Sequence, residues 1–314
     1  MNIELSGEAL DYGRLARQAL EQAGGDRLIQ NAEAEPERRD AIFAPVLGEL
    51  GAWQLEPRAD PDDLEAAAAL CRAAGYWCVA YPVAERLARP ADLEADGLVV
   101  VSGSRPSAAV AGLDLRWATV TLGGHRAMVR DVRPEGPPRT AAFTAALDLA
   151  DDDTAADDDG AKDLALAVVL PCWTLLGMLD RAIDLARGYV LVREQFGQRL
   201  SEFQGVQFQL TDAEVERSGA EMLAKYALWS VQARLPEAVE DALALRMATL
   251  EAAEVVFRVA HQLHGAIGFC DEMPLSWLSR YSQPLRRLPL GLSATRAALT
   301  GRLGRRGLAG LFNE

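Results

Sequence analysis

The chain has 314 residues, half of them hydrophobic and a quarter charged, and its formal charge is −14. That length is enough for two or three packed subdomains, each with a core of its own. The acidity excludes nucleic acid as a partner, because its phosphates would be repelled, and excludes a basic membrane-surface role.

In chain order, Met1–Glu8 is acidic and lacks the basic start and apolar run of a signal peptide. Ser6 can cap a helix in which Leu10, Leu15 and Leu20 recur at near-helical spacing. Asp60 followed by Pro61, Asp62 and Asp63 is a strong helix start, with proline at the first position and acids in the first turn. An alanine-rich helix, Glu65 to Ala74, follows, and Gly75 is expected to end it. A short helical piece from Val83 to Leu87 stops at Pro90. Three β-rich runs come next, Leu98–Ser102, Leu113–Leu122 and Ala127–Val132, separated by glycine turns. They predict a small antiparallel sheet within Gly97–Ala146.

The acidic run Asp148–Gly160 marks a solvated boundary. It lacks the alternating acids and closing glutamate of a calcium loop. Beyond it the pattern is helical: Asp163 to Arg193 with a bend at Pro171, Phe203 to Gln232, Pro236 to Leu263, and Ala294 to Leu303. Leu243, Met247, Leu250, Val255 and Val259 form an apolar stripe on the third helix. Short connections between these helices imply an antiparallel four-helix bundle. The apolar run Leu164–Leu179 is shorter than the ~20 residues a bilayer requires and contains Pro171, so it reads as a core helix. The expected class is therefore mainly α. A helical N-terminal domain (1–95) precedes a reduced antiparallel β domain (96–147), an acidic linker (148–162) and the bundle (163–314). Cys71, Cys78, Cys172 and Cys270 lie in apolar surroundings without C-x-x-C spacing, as expected of buried thiols in a reducing cytoplasm.

Two stretches carry chemistry. In the first, Arg193 closes a helix, Gly197 releases a tight turn, and Phe203-Gln204 opens the next helix. Arginine presents a rigid fork that matches phosphate oxygens in pairs. Phe196 offers a flat apolar face to a ring, and Gln195 and Gln204 offer amides; Gln204 can pair with a base edge. Taken alone, such residues more often form a helix-end salt bridge and core packing. In the second stretch, Gln262-Leu263-His264-Gly265-Ala266-Ile267-Gly268, the glycines allow backbone to approach a ligand and Gln262 can bond a phosphate or ribose. His261 and His264 lie three apart on a helix, but no carboxylate or cysteine accompanies them at ligand spacing, so no metal site is expected.

Together, the Arg193–Gln204 string and the Gln262–Phe269 string resemble the C-terminal helical domain of the acyl-CoA dehydrogenase family. The resemblance covers about Asp163 to Leu303. It implies that Arg193, Gln195, Phe196, Phe203 and Gln204 contact the ADP portion of FAD. It also brings Gln262, Leu263, His264, Gly265 and Ala266 toward the pyrophosphate. In that family these residues serve a flavin seated mainly in a neighbouring subunit, which implies FAD shared across an interface.

The chain departs from the family at its chemistry. Counted from Gly265 and Arg296, the position of the family's catalytic glutamate is Pro289, and the following pair is Leu290-Gly291. The alternative position for the base, counted back from Arg193, is Ala167. Neither residue takes a proton, so no catalytic residue is expected. The family's flavin-covering segment in the middle domain is also missing, and the region is about half the usual length. The resemblance therefore implies a short, non-catalytic subunit of a heteromeric acyl-CoA dehydrogenase. It would be paired, as α2β2, with a full-length, base-bearing subunit, as in actinobacterial enzymes acting on steroid-CoA thioesters. An acyl-CoA substrate and an electron-transfer flavoprotein follow from the family. A bulky polycyclic acyl group would suit a shrunken half-site. One rival is a self-sufficient homo-oligomeric enzyme whose base has moved to Asp271, Glu272 or Glu202; the other is a pure scaffold. From Arg280 onward, Arg280, Arg286, Arg287, Arg296, Arg302, Arg305 and Arg306 face only Glu314. That reversal of charge suits an acidic partner, the phosphates of CoA, or a solvated tail.

Overall fold

The computed structural model describes residues 2–150 and 158–306. Helix α1 (Gly7–Gln22) opens as expected, with the Ser6 hydroxyl accepting from the Ala9 amide at 3.2 Å. α2 (Arg27–Ala34) and α3 (Arg39–Glu49) follow. α4 (Pro61–Tyr76) starts at Pro61, with the Asp60 carboxylate accepting from the Asp62 amide at 2.8 Å. α5 is Val83–Leu87.

Gly75 does not end α4. It lies inside the helix, and a Cβ there would stand 1.8 Å from the Thr174 carbonyl oxygen. Across the contact, a Cβ on Gly177 would stand 1.9 Å from the Arg72 oxygen. The two glycines let α4 cross the long helix α7 (Asp158–Val192) backbone against backbone. The expectation failed because Gly75 serves a neighbour far along the chain.

The middle region holds β1 (Gly97–Val101), β2 (Ser107–Ala108), β3 (Trp117–Thr121), β4 (Arg126–Pro134), the short α6 (Pro138–Ala141) and β5 (Ala145–Leu149). They form one sheet in the order β1-β3-β4-β5-β2. The sheet is mixed rather than wholly antiparallel: β1 pairs parallel with β3, Val99 opposite Thr119. Periodicity reports a strand's faces and says nothing of its direction, so this pairing could not be read. The run Leu113–Leu122 shrinks to β3, and β5 extends through Asp148 into the stretch read as acidic boundary. Of the rest of that acidic run, residues 151–157 lie outside the described residues and 158–160 open α7.

After α7 a two-stranded hairpin, β6 (Glu194–Gln195) and β7 (Gln198–Arg199), leads into α8 (Gln204–Gln232) and α9 (Ala238–His264). A 3-10 turn (Gly265–Phe269), α10 (Pro274–Tyr281), α11 (Gln283–Arg287) and α12 (Leu292–Arg306) complete the described chain. α7, α8, α9 and α12 build the bundle, with α9 packed on the other three. α7 runs through Pro171 without interruption. It is long and apolar enough to cross a membrane, yet 83% of its apolar window is buried against the rest of the chain.

Arg72 of α4 clamps the bundle, donating to Asp180 of α7 at 2.6 Å and to Glu221 of α8 at 2.9 Å. Burial opposes ionisation of Glu221. The bonds from Arg72 and then Arg217 outweigh it and hold the carboxyl down at about 2.

Two composition readings need correction. Cys71, Cys78 and Cys172 are buried, but Cys270 is exposed. The C-terminal arginines are largely spent inside the fold: Arg280 pairs with Asp271 and Glu33, Arg296 with Glu251, and Arg302 with Glu240. Arg286 lies over the Phe257 ring. The side chains of Arg305 and Arg306, and Glu314, lie outside the described residues.

Candidate functional site

Because α7, α8 and α9 alternate in direction, the C-termini of α7 and α9 and the N-terminus of α8 share one end of the bundle. The two motifs meet there: the ring of Tyr189, one turn before Arg193, stacks on His264 with centroids 4.6 Å apart. Arg193 is exposed and makes no side-chain ion pair among the described residues, so the helix-end salt bridge considered for it is not formed. Its backbone anchors the hairpin, the carbonyl accepting from the Leu200 amide at 2.8 Å. The turn residues Phe196 and Gly197 have φ of +53° and +82°, the signature of a two-residue type I′ hairpin. Phenylalanine seldom adopts that conformation, and here its ring is 93% exposed, touching Phe203 edge-on at 6.3 Å. A strained backbone that holds a bare aromatic ring in water points to something that covers it.

Gln204 and Gln262 are exposed, while Gln195 turns its amide back to the Glu194 carbonyl at 2.8 Å. Phe203 caps α8 without a side-chain bond, which leaves the first amides of that helix free for an anion. Gly265, at φ +65° with open space where a Cβ would lie, suits close approach of a ligand to Gly265 and Ala266. Gly268 has a different role from the one expected. A Cβ there would meet the His264 Cβ at 2.9 Å, so its bareness serves packing. Leu263 and His264 are buried. His264 donates its Nδ1–H to the Ala260 carbonyl, 2.8 Å away, and burial lowers the pKa of both His261 and His264. Among the described residues no group of histidines, cysteines and acids could hold a metal. An exposed arginine at the helix end, free helix amides, open glycine backbone and a bare aromatic fit the phosphate-bearing tail of a dinucleotide.

The second region of interest lies 26 residues back along α7. Ala167 and Pro289, the two positions where a base was sought, line one cavity of about 110 Å³ between α5, β1, α7 and α11. The structure thus brings the two together, without a proton acceptor at either. The space is far below the roughly 300–1,000 Å³ of an ordinary ligand pocket. Three charged residues that sequence reasoning missed also line it, Arg39, Glu85 and Arg246. Arg246 donates to the Leu288 and Leu290 carbonyls, both at 2.7 Å, and so clamps the loop around Pro289. Glu85 lies nearby with its pKa raised by burial. A signal existed for Arg246, which interrupts the apolar stripe between Leu243 and Met247. Of the relocated-base candidates, Asp271 is held ionised by Arg139 and then Arg280, at 2.7 and 2.9 Å. Glu202 and Glu272 are exposed.

Comparison with known proteins relates part of the chain to a family and the whole of it to a fold. Residues 164–291 match the family described as acyl-CoA dehydrogenase, C-terminal domain. The 3-sulfinopropanoyl-CoA desulfinase of Paraburkholderia xenovorans is 36% identical over 107 residues, which make up 33% of this chain and 26% of that protein. The chain therefore matches about a quarter of the length of that relative. A chain of the ChsE4–ChsE5 complex from Mycobacterium tuberculosis superposes with a TM-score of 0.74 at 17% identity, over 98% of this chain and 100% of that one. A variant of the Tcur3481–Tcur3483 steroid ACAD gives 0.76 at 18% identity, over 97% and 99%. The chain has the acyl-CoA dehydrogenase fold, with the C-terminal domain of that family at residues 164–291.

Proposed function

We propose that this chain is the non-catalytic subunit of a heteromeric FAD-dependent acyl-CoA dehydrogenase that desaturates an acyl-CoA thioester. The observation that carries the reading is a distance. Arg193, the first residue beyond the end of α7, lies 26 residues from Ala167 on that uninterrupted helix, about 39 Å at 1.5 Å per residue. That exceeds the reach of a single flavin dinucleotide. A flavin whose tail touches Arg193 therefore has its ring elsewhere than in this chain's own cavity, and a neighbouring subunit is where the ring belongs.

Within such a complex this chain binds and does not transfer protons. Arg193 takes the phosphates as a fork, Gln204 and Gln262 bond the nucleotide, and Gly265 and Ala266 let backbone close on the pyrophosphate. Phe196 and Phe203 cover the adenine side and exclude water. Bound FAD would supply the acceptor for the β-hydride, and removal of the α-proton would fall to a carboxylate outside this chain. An apolar stripe along α8, Phe208, Val215 and Met222 at seven-residue spacing, is 50–62% exposed and suits packing against a partner helix. The two fold relatives are a named complex and a steroid ACAD, which supports a heterotetramer and a steroid-derived acyl group. An electron-transfer flavoprotein would reoxidise the flavin.

Reconstitution with a full-length acyl-CoA dehydrogenase encoded beside this chain tests the reading. Flavin retention and thioester oxidation should appear only when both are present. A partner that is equally active and equally loaded with flavin alone would leave this chain a scaffold.

A further inference from the structure

The cavity at Ala167 and Pro289 is more than a vacated active site. Two guanidinium groups line it, and neither forms an ion pair among the described residues. Arg39, 1% exposed, spends its nitrogens on the Ala80, Ala109 and Ala111 carbonyls and lies over the Phe143 ring at 4.1 Å. Arg246, 4% exposed, bonds two carbonyls, and its buried Nε has no partner. Buried cations are normally paired, because carbonyl dipoles only partly replace water. The one carboxyl in the wall, Glu85, acts on Arg39 through space without an ion pair, and burial favours its neutral form. A neutral Glu85 would be a hydrogen-bond donor. The rest of the lining is largely apolar, including Val100, Val168, Leu285 and Leu288.

We propose that this cavity is a binding site for a small monocarboxylate of two or three carbons. The carboxylate would balance the charge of the two lining guanidinium groups, Arg39 and Arg246, and the alkyl end would lie among Val100, Ala167 and Val168. The volume, about 110 Å³, is that of three or four waters at roughly 30 Å³ each, which admits acetate or propionate and nothing much larger. The inference rests on the cavity alone and is independent of the flavin reading.

Titration of sodium propionate into the full chain tests it by calorimetry, with sodium chloride as control. Saturable binding to one site is expected, together with propionate-dependent shifts of the Val100 and Ala167 methyl resonances. Arg246→Met should weaken binding at least tenfold. Ala167→Leu fills the space while leaving both arginines in place, and should abolish binding with the far-UV spectrum unchanged. Should either variant fail to fold, the methyl shifts of the unaltered protein decide. Unmoved Val100 and Ala167 methyls, absence of saturable binding, or undiminished binding to a folded Ala167→Leu protein would each overturn the proposal.

Discussion

The two ends of α7 have been treated in opposite ways. At the Arg193 end, side chains are bare: an unpaired arginine, an aromatic ring held at positive φ, an uncapped helix start and an open glycine. At the Ala167 end everything is folded inward, with an arginine clamped to loop carbonyls around a proline and little space left. Stability alone would close both ends, since exposed strain costs free energy. The open end leaves its strain uncovered, whereas the closed end has no carboxylate at Ala167 or Pro289 and little space between them.

The comparison depends on α7 being a rigid bar, and the largest effect comes from breaking it. Gly177→Val would drive a side chain into the Arg72 carbonyl, where a Cβ already stands at 1.9 Å. It should cost about 3 kcal/mol or more and lower the melting temperature sharply, as read by thermal denaturation. Arg193→Ala attacks the open end. It should leave folding unchanged and weaken flavin retention in the reconstituted complex by tenfold or more, about 2 kcal/mol, because charge-assisted bonds to phosphate are lost. Arg193→Lys should recover only part of the loss, since the fork is gone.

Acid sharpens the comparison further. The folded-state pKa of Glu221 is depressed to about 2 from its ordinary 4.5. Its contribution is fully present above 4.5 and is lost as pH falls from 4.5 toward 2. Denaturant midpoints should fall across that window, and less so in Glu221→Gln. A smaller effect is expected of Phe196→Asn. Asparagine tolerates positive φ, so the isolated chain should gain about 0.5 kcal/mol while its grip on the flavin complex weakens. The smallest is Ala167→Glu. Returning a carboxylate to the closed end should give the isolated chain no thioester oxidation, because space for substrate and flavin ring is lacking.

What could be read from the sequence follows the range of the signals. Ser6 and Asp60-Pro61 are local caps, and both act where expected. The long helices follow from periodicity. Gly75 was misjudged because its reason, Thr174, lies 99 residues away. The C-terminal arginines looked unopposed because Glu33, Glu240 and Glu251 precede them by long stretches and reach them only through the fold. The parallel pairing of β1 with β3 has no sequence signature at all. At the site, the motif strings marked Arg193 and Gly265, while the cavity stayed hidden. Burial of Arg246 and Glu85 is a property of three parts of the chain meeting, and no single window contains it.

The most direct test is to purify this chain by itself, add FAD, and follow both visible absorbance and oxidation of acyl-CoA with an artificial electron acceptor. A colourless, inert protein is the expected result, since the proposal gives this chain the flavin's tail and leaves the ring to a neighbour. A yellow protein that desaturates a thioester unaided would contradict the account.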